Sequence, residues 1–126
     1  MNSTKVAIYC RVAQANEEII AQQEETMLQF AGGNGYSVIA CYRDNGESGL
    51  SLDRPGMKNL IGDIQDGKIQ TVIALDFSRV ARGLAPMREW FTILKKYDTL
   101  FVSVRDNFQY PNDDCFSALF ENLALT

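Results

Sequence analysis

Lys5-Val6-Ala7-Ile8-Tyr9-Cys10-Arg11-Val12-Ala13, followed by Gln14-Ala15-Asn16-Glu17-Glu18, decides the fold of this chain. The short apolar run from Val6 reads as a buried strand, spanning roughly Lys5 to Val12. The polar residues after it read as a helix start: Asn16 suits an N-cap, and Glu17 and Glu18 suit the positive end of the helix dipole. Arg11 and Ala13 therefore sit at the carboxyl end of a first strand. In open α/β sheets that edge is where ligand sites are built. An arginine there offers a planar fork of donors suited to phosphate or carboxylate. Ala13 offers no chemistry.

The same alternation continues outward. The first helix is expected to run to about Ala31, with Ile20, Met27 and Phe30-Ala31 on its buried face. Gly32-Gly33-Asn34-Gly35 stops it. Tyr36 to Arg43 reads as a second strand. The polar stretch Asp44 to Arg54 is long for a strand-to-helix loop, and such loops are often functional. Pro55 fits the first helical position of a helix carrying Met57, Leu60, Ile61 and Ile64. Ile69 to Leu75 is an unbroken apolar run, as in a strand covered on both faces. A loop from Asp76 to Gly83 leads to a helix near Pro86 with Trp90, Phe91, Ile93 and Leu94. Thr99 to Val104 reads as a fourth strand, and 105–112 as a loop. A last helix begins at Asp113 and Asp114, with Phe116, Leu119, Phe120 and Leu123 on one face. It is still amphipathic at Thr126, so a continuation, a partner helix or a trimmed end is expected. The order βαβαβαβα implies one α/β domain over residues 1–126, with a mostly parallel central sheet and helices on both faces.

Bulk properties narrow the function. The 126 residues suffice for one domain with a real core. No apolar run approaches the roughly 20 residues needed to span a bilayer. The amino terminus lacks a signal layout, so no membrane partner and a cytoplasmic location are expected. The chain has no histidine, which excludes histidine triads and the usual zinc sites. Cys10, Cys41 and Cys115 have no metal-type spacing. Cys10 and Cys41 lie in apparent strands and are expected as buried free thiols, so no metal and no cofactor are implied. The net charge of −4 argues against strong DNA binding by this chain alone, without excluding a local arginine cluster.

Polar residues follow successive strands: Arg11 and Ala13 after the first, Asp44, Ser48 and Arg54 after the second, Asp76, Ser78, Arg79 and Arg82 after the third. A parallel sheet gathers these loops at one edge. Each has an ordinary explanation alone: Arg54 fits a loop ion pair with Asp53, Arg79 and Arg82 fit pairing with Asp76 or solvation, and Ser48 and Ser78 fit turns. Together, four arginines in a small volume repel one another and imply an anion, with phosphate the natural candidate. Such a cage could stabilise charge developing at phosphorus without a metal.

Tyr9-Cys10-Arg11-Val12, Gln22, Asp44 to Gly49, Asp53-Arg54-Pro55-Gly56 and Asp76-Phe77-Ser78-Arg79-Val80-Ala81-Arg82 resemble the amino-terminal catalytic domain of the serine site-specific recombinases, the resolvase/invertase family. The resemblance covers nearly all of the chain, and Asp106-Asn107 before a final helix is similar to its large members. It implies DNA cleavage by a serine that becomes joined to the 5′ phosphate, followed by subunit rotation and rejoining without ATP. It implies that Arg11 contacts the scissile phosphate, and that Gln22 supports the active-site loop. Asp44 and Arg54 would orient and charge-balance the site, Arg79 and Arg82 would stabilise the transition state, and Ser78 takes a place that is Asp or Ser in the family. The resemblance also implies a DNA partner and a homodimer or higher oligomer through the C-terminal helix. The departure is Ala13, which stands where the family pattern Arg-Val-Ser has its nucleophile. A methyl group cannot form a phosphoester. Cys10 and Gln14 do not substitute. The family's long helix and separate DNA-binding domain are also missing from these residues. Three readings follow: a recombinase catalytic domain inactive as written, a non-catalytic recombinase-like partner, and a small domain binding a nucleotide or phosphorylated metabolite. The last is weakened because no glycine-rich phosphate loop is present.

Overall fold

The computed structural model describes residues 4–111. Five strands and four helices alternate: β1 (Thr4–Val12), α1 (Glu17–Gly33), β2 (Tyr36–Asn45), α2 (Pro55–Gln65), β3 (Thr71–Ala74), α3 (Phe77–Val80), α4 (Leu84–Lys96), β4 (Leu100–Ser103) and β5 (Phe108–Tyr110). The strands form one sheet in the order β2-β1-β3-β4-β5. The first four are parallel and β5 runs antiparallel to β4. The order reverses at β1, so a crevice forms outside the carboxyl ends of β1 and β3, where α/β folds place their sites.

Alternation along β1 divides the core. Val6, Ile8, Cys10 and Val12 pack with Ile20, Met27 and Ala31 of α1 on one face. Ala7 and Tyr9 pack on the other face with Met57, Leu60 and Ile64 of α2 and Met87, Trp90, Phe91 and Leu94 of α4. Helices therefore cover both faces. Trp90 and Phe91 meet Phe101 edge-on, at centroid distances of 5.5 and 6.3 Å. That geometry sets the positive ring edge against the negative face.

The elements differ from expectation in four places. The loop expected over 76–83 contains the single turn α3, and the loop expected over 105–112 contains β5. Both are too short to show a period and are fixed by tertiary bonds. Cys41 is exposed, not buried. Among the described residues, β2 is an edge strand whose residues alternate between covered and exposed from Tyr36 to Asn45, and Cys41 is exposed like Ser37, Ile39 and Arg43. The strand also carries a bulge, since Val6 pairs with Val38 but Ala7 with Ala40, leaving Ile39 an extra residue. The third and fourth strands are shorter than read. The expected helix from Asp113, Cys115 and the oligomer contact assigned to that helix lie outside the described residues. Among the described residues, no helix is long and apolar enough to cross a membrane.

Candidate functional site

Arg11 ends β1 on the α2 side of the sheet and is 1% exposed. Three of its five N–H donors go to main-chain carbonyls. Nη1 donates to Glu47 at 2.7 Å, Nη2 to Ser78 at 2.6 Å and Nε to Arg79 at 3.0 Å. Arg11 thus joins the loop after β2 to the turn after β3. Arg54 comes in from the start of α2, is 2% exposed, and donates to the carbonyls of Val80 and, at 3.4 Å, Arg79. Its guanidinium lies 5.6 Å from the centre of the Tyr9 ring, a cation–π contact. The expected ion pair of Arg54 with Asp53 is absent: Asp53 pairs with Lys58.

Arg79 and Arg82 complete the cluster nearer the surface. Arg79 Nε is 3.5 Å from Asp76, and its Nη1 donates to the carbonyl of Arg11 at 3.4 Å. Arg82 is exposed, and its amide donates to the carbonyl of Gly49 at 2.7 Å. Among the described residues no carboxylate lies within ion-pair distance of Arg11, Arg54 or Arg82. Burial, and then repulsion from Arg54, Arg82 and Arg79, lowers the affinity of Arg11 for its proton. The four arginines therefore meet at the crevice as expected. The resemblance assigned Arg11 to the scissile phosphate; here three of its five N–H groups bond main-chain carbonyls and the residue is 1% exposed.

Asp44, at the end of β2, is 3% exposed. It accepts from the Tyr9 hydroxyl at 2.6 Å and from the amides of Gly56 and Met57 at 2.7 and 2.9 Å. Arg54 gives α2 no side-chain cap. Asp44 supplies one from another strand, satisfying two free amides and facing the positive end of the dipole. Burial and this bond push the Tyr9 phenol well above its usual range. Gly56 permits the approach, because a Cβ there would lie 2.4 Å from the carbonyl oxygen of Arg43. Gly49 is less tight but still close: a Cβ would lie 3.0 Å from Arg11 Nη2 and from Arg82 Cγ.

Gln22 is exposed on α1 and takes no part in the crevice. Its neighbour Gln23 reaches the end of β1 instead. Gln23 is buried, accepts from the Arg11 amide at 3.0 Å and donates to the Arg11 carbonyl at 3.2 Å. The signal was present, since Gln23 falls on the helical stripe of Ile20, Met27 and Ala31. Ser48 caps its own turn, accepting from the Leu50 amide, and Ser78 donates to Asp76. Cys10 faces α1, away from Arg11, and burial pushes its thiol up to about 12. Ala13 is exposed just beyond β1, and the carbonyl of the preceding Val12 accepts from Gly46 and Glu47. Among the described residues, no group of three or more acidic or cysteine side chains could hold a metal ion.

The model of the resolvase N-terminal domain matches residues 6–125. Among solved structures, the fold is similar to the N-terminal catalytic domain of TP901-1 integrase. That match has a TM-score of 0.85 at 28% identity and covers 97% of this chain and 93% of that one. A resolvase family site-specific recombinase from Streptococcus pneumoniae matches at 0.80 and 26%, covering 97% and 86%. The catalytic domain of ISC1926 TnpA, an IS607-like serine recombinase, matches at 0.73 and 21% over 79% and 69%, a likeness of fold alone.

Proposed function

The chain belongs to the resolvase family, as a serine-recombinase catalytic domain, and from that premise we propose that its arginine crevice binds a DNA phosphodiester without joining to it. The observation that carries this reading is the gathering of Arg11, Arg54, Arg79 and Arg82 with no carboxylate against three of them. Arg11 and Arg54 act as fixed buried charge beneath the crevice. Arg79 and Arg82 meet the phosphate oxygens. Gln23 holds the end of β1 that carries Arg11, and Asp44 holds the start of α2 beside Arg54. No cofactor is required for this.

A hydroxyl at position 13 would attack phosphorus, and the 3′ oxygen would leave with a proton. The methyl of Ala13 cannot do so, and the covalent joint that conserves bond energy for rejoining does not form. Strand exchange by this chain is therefore absent, and DNA binding is weak and salt-sensitive. The test is anisotropy of a fluorescein-labelled DNA duplex titrated across salt concentration. Binding should weaken steeply with salt, and Arg82→Ala should flatten the log–log slope by about 0.9, as loss of one phosphate contact does. No binding at low salt, or an unchanged slope, would sink the reading.

Ala13 itself favours one alternative, a recombinase-like partner that pairs with active subunits. Ala13→Ser separates the two on a cognate site, because a covalent adduct with DNA forms only if the rest of the crevice remains competent.

A further inference from the structure

We propose that Asp106, on the turn between β4 and β5, is the positioning residue for the arginine crevice. The turn α3 supplies the carbonyls of Ser78, Arg79 and Val80 that seat Arg11 and Arg54, and it carries Arg79. Four residues cannot hold a helical turn by themselves, because nucleation costs more than one turn of bonds returns. Asp76, at its N-cap position, makes no side-chain cap bond. The missing cap comes from elsewhere in the fold. Asp106 Oδ2 accepts the Phe77 amide at 2.8 Å.

The same oxygen accepts the hydroxyl of Ser103 at 2.6 Å, and Ser103 is fully buried. Asp106 is thus pinned from the core side before it pins α3. Two further bonds clip its turn to the end of β3. The amide of Val104 donates to Ala74 at 3.0 Å and that of Arg105 to Leu75 at 2.8 Å. Arg105 Nη1 lies 4.0 Å from Asp76 at the foot of α3. Asn107 closes the turn in the left-handed region, at φ 49°, which asparagine tolerates better than most residues. The chain Ser103, Asp106, Phe77, Arg79 therefore runs from the buried sheet to the cationic crevice. Asp106 touches no arginine that faces the crevice and acts only through α3.

This role makes an unusual demand on the sign of a mutation. Removing a carboxylate near a cationic site should strengthen phosphate binding through charge alone. Removing a positioning residue should weaken it. The inference rests on the phosphodiester reading above, and one titration separates the two. Duplex DNA anisotropy is measured for the full chain and for Asp106→Ala, Asp106→Asn, Ser103→Ala and Arg82→Ala, with folding followed by the emission of the single tryptophan, Trp90. Asp106→Ala should bind about five-fold more weakly despite its lost negative charge, as loss of about one hydrogen bond implies. Asp106→Asn keeps an acceptor and should bind at least as well as the parent. Ser103→Ala, nearly the same size, should weaken binding by a smaller factor and serves if Asp106→Ala fails to fold. Binding equal to or tighter than the parent in Asp106→Ala, or unchanged in Ser103→Ala when the former is unfolded, would overturn the role of Asp106. If that occurs while Arg82→Ala still flattens the salt slope, the phosphodiester reading stands alone. If Arg82→Ala also changes nothing, both fall.

Discussion

Gly49 and Gly56 are the residues where the crevice has no room to spare, but the obstruction differs. At Gly56 the added methyl would meet the main-chain carbonyl of Arg43 at 2.4 Å, which cannot yield without moving β2. Gly56→Ala should cost about 3 kcal/mol in urea unfolding, the upper end of overpacking costs. At Gly49 the neighbours are side chains, and the exposed Arg82 can swing away while Arg11 cannot. Gly49→Ala should cost less stability than Gly56→Ala and show mainly as weaker DNA binding. Tyr9 and Cys10 both hold their protons more tightly when folded. A group with a raised folded pKa stabilises fully below its unfolded value and loses that contribution as pH rises. Their contribution should therefore be level up to about pH 9 and fall from there, the Cys10 part being lost as pH rises from 9.0 towards about 12. Cys10→Ala should flatten the start of that fall in urea midpoints measured against pH. At this scale the gathering of the arginines and Asp44 at one edge was legible because polar chemistry sits in their side chains, and Ala13 stood out because it has none. Gln23 was overlooked beside Gln22 because side by side in sequence they are equally polar, and only the helical stripe tells them apart.

Elements announced by their own ends were read well. Asn16 caps α1, its side chain accepting from the Ile19 amide at 3.0 Å, and Pro55 opens α2. Asn16→Ala should cost about 1 kcal/mol, as loss of an N-cap does, measured by thermal or urea unfolding. Arg43, which bridges Glu17 and Glu24 at 2.6 and 2.8 Å, ties α1 to β2 at a partly exposed surface and should contribute less than 1 kcal/mol. What the sequence did not show were elements defined by a distant partner. The cap of α2 is Asp44 from β2, the cap of α3 is Asp106 from the β4–β5 turn, and β5 exists as three residues paired to β4. None of these has a local period: the two caps bridge 12 and 29 residues of chain, and β5 is only three residues paired to β4. The bulge at Ile39 escaped for the same reason. Cys41 is exposed by alternation along this edge strand, which the uniformly apolar run from Val38 to Cys41 hides.

The whole molecule sets a net charge of −4 against one cationic edge. Long-range attraction to DNA is therefore poor, and whatever affinity exists is local to the crevice. Its measured dissociation constant should rise with salt but show little preference among duplex sequences. Among the described residues the sheet has two margins without a neighbouring strand, β2 and β5. An unpaired margin invites a strand from another molecule, and long flat ones seed fibres. Here neither is a good template. β5 offers only three residues, and β2, the long one, is broken by its extra residue at Ile39. The bulge thus makes β2 a poor template for a second copy. Deleting Ile39 would leave a long regular margin, and that variant should scatter light and bind thioflavin at concentrations where the parent does neither.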